Sequence, residues 1–404
     1  MGSRKAIVEL STTAITHGMD GTLVEPDWVP LTLAEVRHLL QQFSALGKPI
    51  EILSTSPRPF SAASVVRTSS RRVFIKRHHR AVRDKEGLLE EHRFLAHLLA
   101  HGAPVPRVFE SSSGETAIEI GEWTYEVHEA PSGVDLYGKA ISWTPFRNVA
   151  HAKSAGQQLA RLHLSSVGFG AQQRKPRSLV ASFTIFAAQD AVAALRHYLA
   201  ARPALAESAI VLSRCNEALE LLSPFHADLC PLLPALEPLW THNDLHASNM
   251  LWSDSSDNAN AKAIIDFGLA DRTNAVHDLA HAIERNIVEW LLLAQNMAHP
   301  ERVPIHVDHF KALMAGYESV RPLSDVEAAA LAPMTALCHA EFALSETDYF
   351  LGILHSEEKT QMACDGWLVN HARWFRDAAG NKLLNAIRRW ADHRGHRAEG
   401  VQRP

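Results

Sequence analysis

Between Trp240 and Ala270 the chain reads WTHNDLHASNMLWSDSSDNANAKAIIDFGLA, and this stretch limits the possible folds more than any other. Two short apolar runs, Asn249–Trp252 and Ala263–Ile265, flank a segment rich in Ser, Asp and Asn. Side chains of that kind hydrogen-bond their own backbone and favour turns over ladders, so the pattern predicts a β-hairpin with a long loop. If the runs pair antiparallel, Asn249, entering the first strand, meets Asp266, leaving the second. Asp244 precedes Asn249 by five residues in a polar loop. One loop and one hairpin then gather two carboxylates and a carboxamide.

Hard oxygen donors suit Mg2+, which keeps part of its water and takes further ligands from substrate phosphates. Asp-x-x-x-x-Asn followed by Asp-Phe-Gly is also the order in which kinases carry their catalytic groups. The first Asp accepts a hydroxyl proton, and the Asn and second Asp hold metal on the nucleotide. Either motif alone carries little, because Asp and Asn are common in loops for local reasons. Their order carries the inference, with His242 before the first and an apolar strand before the second.

Upstream, residues 1 to about 28 are weakly patterned and predict a mobile extension. A helix is expected from Leu31 to Leu46, ended by Gly47. Glu51–Leu53 and Ser64–Thr68 predict strands joined by a loop, and Val73–Lys76 a third strand ending in Lys. A kinase covers and grips its nucleotide with such an arrangement. The loop has no glycine, but Ser61, Ala62, Ala63 and Ser64 are small enough to let backbone approach a phosphate. A helix over Asp84–Ala100 carries Leu88, Leu95, Leu98 and Leu99 as its apolar stripe, and Glu91 falls on that stripe. A carboxylate there needs a partner, and Lys76 is the candidate; Glu90 is the alternative acid. Val105–Phe109, Thr116–Ile120 and Trp123–Val127 read as strands. Pro131 and Gly133 end the strand pattern, which puts a hinge at Glu129 and Ala130 with backbone groups for an adenine edge.

From Trp143 onward the pattern is helical. A helix from His277 to Met297 carries His281, Glu284 and Arg285 on one face, read first as a solvated face and alternatively as a substrate-facing patch. Glu341, Glu346 and Asp348 form a loose acidic set further on, which would suit a cationic acceptor. The 24 histidines show no metal-binding helix motif, and most are expected on the surface or hydrogen-bonded in the core. A net charge of -5 excludes a general basic field for nucleic acid. No apolar run is long enough to span a bilayer, and MGSRKAIVEL lacks a signal-peptide core, so a cytoplasmic location is expected. The four widely spaced cysteines fit a reducing compartment.

These motifs resemble the aminoglycoside phosphotransferase / choline kinase-like superfamily over roughly residues 50 to 360. THNDLHASN, IIDFGLA, HDLAHA, QQLARLH and EEHRFLAHLLAHGAPVP carry the resemblance, and its stress-response and homoserine-kinase-type branch is the nearest in pattern. The resemblance implies an α+β, bilobal protein-kinase-like fold. It would have a small N-terminal five-stranded antiparallel sheet with an αC-type helix and a larger, mostly helical C-terminal lobe. The implied division is an extension at 1–28, a nucleotide-binding lobe at 29–130, a catalytic lobe at 131–392 and a polar tail at 393–404. It further implies ATP and Mg2+ as cofactors and Asp244 as catalytic base. Asn249 and Asp266 would bind metal, Lys76 and Glu91 would hold the α- and β-phosphates, and His242 and Asp278 would brace the loop. Asn243 stands where the family has Gly; Asn is the next most tolerant of positive φ. The expected activity is transfer of the γ-phosphate to a hydroxyl of a small molecule. A Ser/Thr protein kinase and a non-catalytic nucleotide-binding protein are the competing readings.

Overall fold

The computed structural model describes residues 16–17, 23–130, 132–293, 296 and 299–399. Strands β1 (Pro49–Thr55), β2 (Ala62–Thr68), β3 (Arg72–His79), β4 (Ala117–Ile120) and β5 (Trp123–Glu129) form an antiparallel sheet in the order β1-β2-β3-β5-β4. Helix α1 (Leu33–Leu40) starts in a capping box, in which Thr32 accepts from the Glu35 backbone and Glu35 from the Thr32 backbone. Val36, Leu39, Leu40 and Phe43 pack with Val66, Val73, Ile75 and Val127 in a small core. Glu35 ties helix to sheet by accepting from Arg77 at 2.7 Å and from the Tyr125 hydroxyl at 2.6 Å.

Helix α2 (Lys85–Ala100) is capped by Asp84, and it buries Leu88, Phe94, Leu95 and Leu98. Phe94, Leu95 and Leu98 join a second core that runs on into the helical lobe. The chain at Val105–Phe109 differs from expectation: it forms a single bridge, Val108 to His128, and no strand. Pro104 and Pro106 lack the N–H groups that a ladder requires.

The helical lobe contains α3 (Val149–Ser166), α4 (Ala191–Ala200), α5 (Ala209–Leu229), α6 (Ala275–Ile287), α7 (Val307–Glu318), α8 (Asp325–Leu337), α9 (His339–Asp348), α10 (His371–Arg376) and α11 (Ala378–Glu399), with shorter turns between. Helices α3 and α7 approach at paired glycines. A Cβ on Gly316 would fall 1.9 Å from the Lys153 carbonyl oxygen, and one on Gly156 2.1 Å from that of Leu313. Backbone cannot yield as a side chain can, so Gly316→Ala is expected to cost about 1–3 kcal/mol. Chemical denaturation checks this; an unchanged midpoint would mean that the helices separate freely.

Between α5 and α6 lie two hairpin-like pairs. Strands β6 (Pro238–Thr241) and β9 (Asp271–Asn274) pair with each other, and inside them β7 (Met250–Trp252) pairs with β8 (Ala261–Ile264). The expected hairpin is therefore formed, with Ile264 opposite Met250.

Three further expectations change. Asp27 and Trp28, assigned to the mobile extension, are packed: Trp28 stacks on His79 at 4.9 Å, and Asp27 accepts from Tyr349 at 3.0 Å. Residues 1–15 and 18–22 lie outside the described residues. The polar tail is helical through Glu399 as part of α11, and the rest of it lies outside the described residues. Helix α6 ends at Ile287, and all of its residues are buried, so His281, Glu284 and Arg285 form no solvated face. Among the described residues no helix is long and apolar enough to cross a membrane.

Candidate active site

The loop between β6 and β7 is held from beneath by one buried carboxylate. Asp278, in the first turn of α6, accepts the backbone N–H of His242 at 2.9 Å and of Asn243 at 2.8 Å. It also accepts from His163 Nε2 at 3.0 Å. Desolvation opposes its charge, but these donors hold its carboxyl below the usual range. Asn243 has φ +61, the left-handed conformation expected of a residue in a glycine position. Its amide does more than tolerate the turn. Oδ1 accepts from Thr241 at 2.8 Å, Thr273 at 3.2 Å and His277 Nδ1 at 3.2 Å, while Nδ2 donates to the Ala181 carbonyl at 3.1 Å. Glycine would remove these four bonds, although Thr241 and Thr273 would still have each other.

His242 is fixed in one tautomer. Its Nε2–H donates to the Ile265 carbonyl at 3.0 Å, so Nδ1 is free to accept the Asp244 backbone N–H at 3.1 Å. This places the Asp244 carboxylate between two donors. Asn249 Nδ2 reaches Oδ2 at 3.0 Å, and Arg285 Nη1 forms an ion pair with Oδ1. Burial pushes the Asp244 carboxyl up, and Arg285 and His242 pull it back. Asn249 engages Asp244 through its nitrogen, which leaves Oδ1 as the atom a cation would take.

Asp266 follows β8 with φ +62. Its carboxylate accepts from Lys76 Nζ at 2.8 Å, and 37% of its side chain remains accessible to the cleft. Desolvation would raise it, but Lys76 outweighs this and holds it well below the ordinary carboxylate range. For the Lys76 ammonium, burial works downward and is overcome by Asp266, Glu126 and Glu91. The expected Lys76–Glu91 contact is thus replaced by Lys76–Asp266. Glu91 is buried nearby as a charge on Lys76 without a direct bond. Glu90 is excluded as the alternative, because Arg174 at 3.3 Å and Arg177 at 3.5 Å engage it.

The loop over the cleft, residues 56–61, contains no glycine and is anchored at its tip. Arg58 Nη2 donates to Ser248 Oγ at 2.7 Å and to the Ala140 carbonyl at 3.3 Å, and Phe60 packs edge-on against Tyr349 at 5.3 Å. Ser61 lines the cavity beneath. Ser64 does not: it is fully buried in β2, opposite Ile75, with its hydroxyl 3.4 Å from that of Thr55. Of the two hinge residues, Glu129 ends β5 and its N–H donates to the Arg107 carbonyl at 2.8 Å. That donor is therefore unavailable to a base, and Ala130 lies just beyond the ladder.

One cavity collects Lys76, Asp244, Asn249, Asp266, Arg58 and Ser61. Its far wall is Trp143, Phe342, Arg285 and Glu346. The Arg285 guanidinium lies 4.3 Å from the Phe342 ring centre and 4.8 Å from that of Trp143. Glu346 is fully buried, and neither carboxylate oxygen has a hydrogen-bond partner among the described residues. Burial pushes its carboxyl well up, against the pull of Arg285. Arg58 and Arg285 carry no motif signal, and a helical-wheel reading of α6 placed Arg285 toward solvent. The helix is amphipathic, with Val276, Leu279, Ala280, Ile283 and Ile287 on its apolar face, so nothing in its pattern marked the polar face as buried as well.

The donor set fits a hard divalent cation: the ionised Asp266 carboxylate and the Asn249 carbonyl oxygen flank the same cleft as Lys76.

A family model described as "Phosphotransferase enzyme family" matches residues 57–323. Homoserine kinase of Gluconacetobacter diazotrophicus is 29% identical over 248 residues, which cover 61% of this chain and 64% of that protein. The match thus spans less than two thirds of that relative's length. Among solved structures, a microcompartment-associated aminopropanol kinase superposes with a TM-score of 0.55 at 16% identity, over 85% of this chain and 98% of that one. An amicoumacin kinase in complex with AMP-PNP, Ca2+ and Ami superposes with a TM-score of 0.53 at 13% identity, over 84% and 95%. At these identities the likeness is one of fold, and that fold is the two-lobed one with a five-stranded antiparallel sheet and a helical C-terminal part.

Proposed function

Because the chain belongs to the phosphotransferase enzyme family, we propose that it transfers the γ-phosphate of ATP, with Mg2+, to a hydroxyl of a small amino acid or amino alcohol. The observation that carries this reading is the single cavity in which Lys76, Asp244, Asn249 and Asp266 face Arg285 and Glu346. Lys76 would hold the nucleotide's phosphates, and Arg58 would meet them from the loop above. Asn249 and Asp266 would hold Mg2+, which when bound neutralises charge on the phosphates. Asp244 would orient the acceptor hydroxyl and take its proton, with Arg285 keeping that carboxylate ionised.

The acceptor class follows from the far wall. A buried carboxylate with no partner gains strongly from a cation, so Glu346 would receive an ammonium group. The names of the relatives, homoserine kinase and aminopropanol kinase, describe acceptors of that kind. Buried Trp143 and Phe342 wall the cavity beside Arg285, which suits a small acceptor better than the extended segment a protein kinase must admit.

Nucleotide consumption against a panel of amino acids, amino alcohols, aminoglycosides and protein extract tests the reading. An amine-bearing small acceptor should be turned over, with KM rising in Glu346→Gln. Labelling of protein alone would overturn it.

The ion pair also predicts a pH effect. Arg285 lowers the Asp244 pKa, so its removal raises it. The base is then protonated at higher pH, and the acid limb of the kcat/KM profile of Arg285→Gln should move upward in pH. A profile that keeps its position while falling in height would show that Arg285 acts on binding only.

A further inference from the structure

Two buried clusters of histidine and glutamate lie outside the chemistry above, and they differ in one respect. In the sheet lobe, Glu126 accepts from His78 at 3.0 Å, His92 at 2.9 Å and His128 at 2.8 Å. Three ring N–H groups on one carboxylate satisfy both of its oxygens, and among the described residues only His128 Nδ1 of this cluster is left without a partner.

The second cluster is not self-sufficient. Glu284 comes from α6, His339 is the first residue of α9 and His371 the first of α10. Their ligand atoms lie within 4.8 Å of one another, and Glu284, His339 and His371 are 0%, 1% and 3% exposed. His371 Nε2 is 2.9 Å from Glu284 Oε1. His339 Nδ1 stands 3.9 Å from Glu284 Oε2, too far for a hydrogen bond. Among the described residues, Oε2 and both ring nitrogens of His339 have no hydrogen-bond partner, nor has Nε2 of His281, one helical turn before Glu284. Four unpaired polar atoms at one place in a core would be costly, and an absent ion is one of the few explanations for them.

We propose that Glu284, His339 and His371, with His281 beside them, form a binding site for a divalent cation of the zinc class. Two imidazoles and a carboxylate are a zinc donor set, and ligand bonds of about 2.0–2.2 Å let two donors of one ion stand up to roughly 4 Å apart. The 3.9 Å gap therefore suits an ion between the two groups. Arg285, next to Glu284 in sequence, is turned onto Asp244.

The site would act on the neighbouring cavity through its wall. His339 meets the edge of Trp143 at 4.9 Å, and Trp143 and Phe342 flank the Arg285 guanidinium. A cation joining α6, α9 and α10 would hold that wall in place. It is a structural site, separate from the Mg2+ position at Asn249 and Asp266.

The test uses the full chain purified without a polyhistidine tag. Metal content is measured by plasma mass spectrometry, and thermal unfolding is followed with and without a strong chelator. The expected result is one zinc per chain, a melting temperature that falls on chelation and recovers with zinc, and visible absorption bands when cobalt replaces zinc. Glu284→Gln and His339→Gln should weaken zinc binding tenfold or more, while His92→Gln, in the sheet cluster, should not. A wild-type chain that holds no zinc, shows no cobalt bands and melts identically with chelator would overturn the proposal and leave water as the bridge. Zinc that survives His339→Gln and is lost in His92→Gln would also overturn it, by moving the metal to Glu126. The wild-type measurements stand even if a variant fails to fold.

Discussion

Asp244→Asn should lower phosphoryl transfer by a factor on the order of 10²–10⁴, the range that a positioned general base contributes. The amide is isosteric and keeps an oxygen for Arg285, and Asn249 Nδ2 still has the Asp244 backbone carbonyl as acceptor at 3.0 Å, so the loop should hold its shape. What is lost is the charge that takes the hydroxyl proton. Some stability should go as well, since Arg285 is buried and loses its ionic partner. Activity must therefore be compared at a temperature where both proteins are folded, as judged by circular dichroism. Transfer at near wild-type rate by the folded variant would remove Asp244 from the mechanism. The outcome bears on the rival reading of a non-catalytic nucleotide-binding protein too, because such a protein has no use for the base.

The placement of Asp244 beside Asn249 was legible in the sequence for a physical reason. Both residues belong to a local unit, one loop and one hairpin, whose geometry follows from alternation and turn chemistry within about thirty residues. The sheet strands and the helix at Lys85–Ala100 were legible on the same grounds. Asn243 was readable as a left-handed residue, but its role as a hub for Thr241, Thr273 and His277 was not, since those partners are set by packing. The Lys76 partner shows the limit most clearly. A helical stripe pointed to Glu91, whereas Asp266, 190 residues away in sequence, makes the bond. Arg58 and Arg285 were hidden for opposite reasons. Arg58 sits in a loop where small residues drew attention, and its target, Ser248, is likewise 190 residues distant. Arg285 sits on a helix whose polar residues suggest a wet face, but the lobe closes over it completely. Buried polar clusters such as Glu284, His339 and His371 join three helices and leave no periodic trace.

The second large effect is expected at Asp266. Asp266→Asn should reduce transfer by roughly 10³, because a carboxylate ligand to the phosphate-bound metal is worth several kcal/mol of charge stabilisation. The stability cost should be moderate. The Lys76–Asp266 pair opens on the cleft, with 37% of the Asp266 side chain accessible, but Lys76 is only 12% accessible and would lose its bonded partner while keeping Glu126 and Glu91 nearby. This separates Asp266 from Asp278, which is fully buried under three donors, so that its loss should unfold the loop. The decisive measurement is the dependence of rate on Mg2+ concentration. If Asp266 holds the metal, the variant should need far more Mg2+ and should still fall short of the wild-type maximum. If Asp266 serves only to position Lys76, the Mg2+ dependence should stay as it was, and the lost rate should appear as a higher KM for ATP. The two roles are physically distinct, because Lys76 bonds Oδ1 of Asp266 as a cation neutralising it, whereas a metal would be held by the Asp266 carboxylate directly and would need its charge.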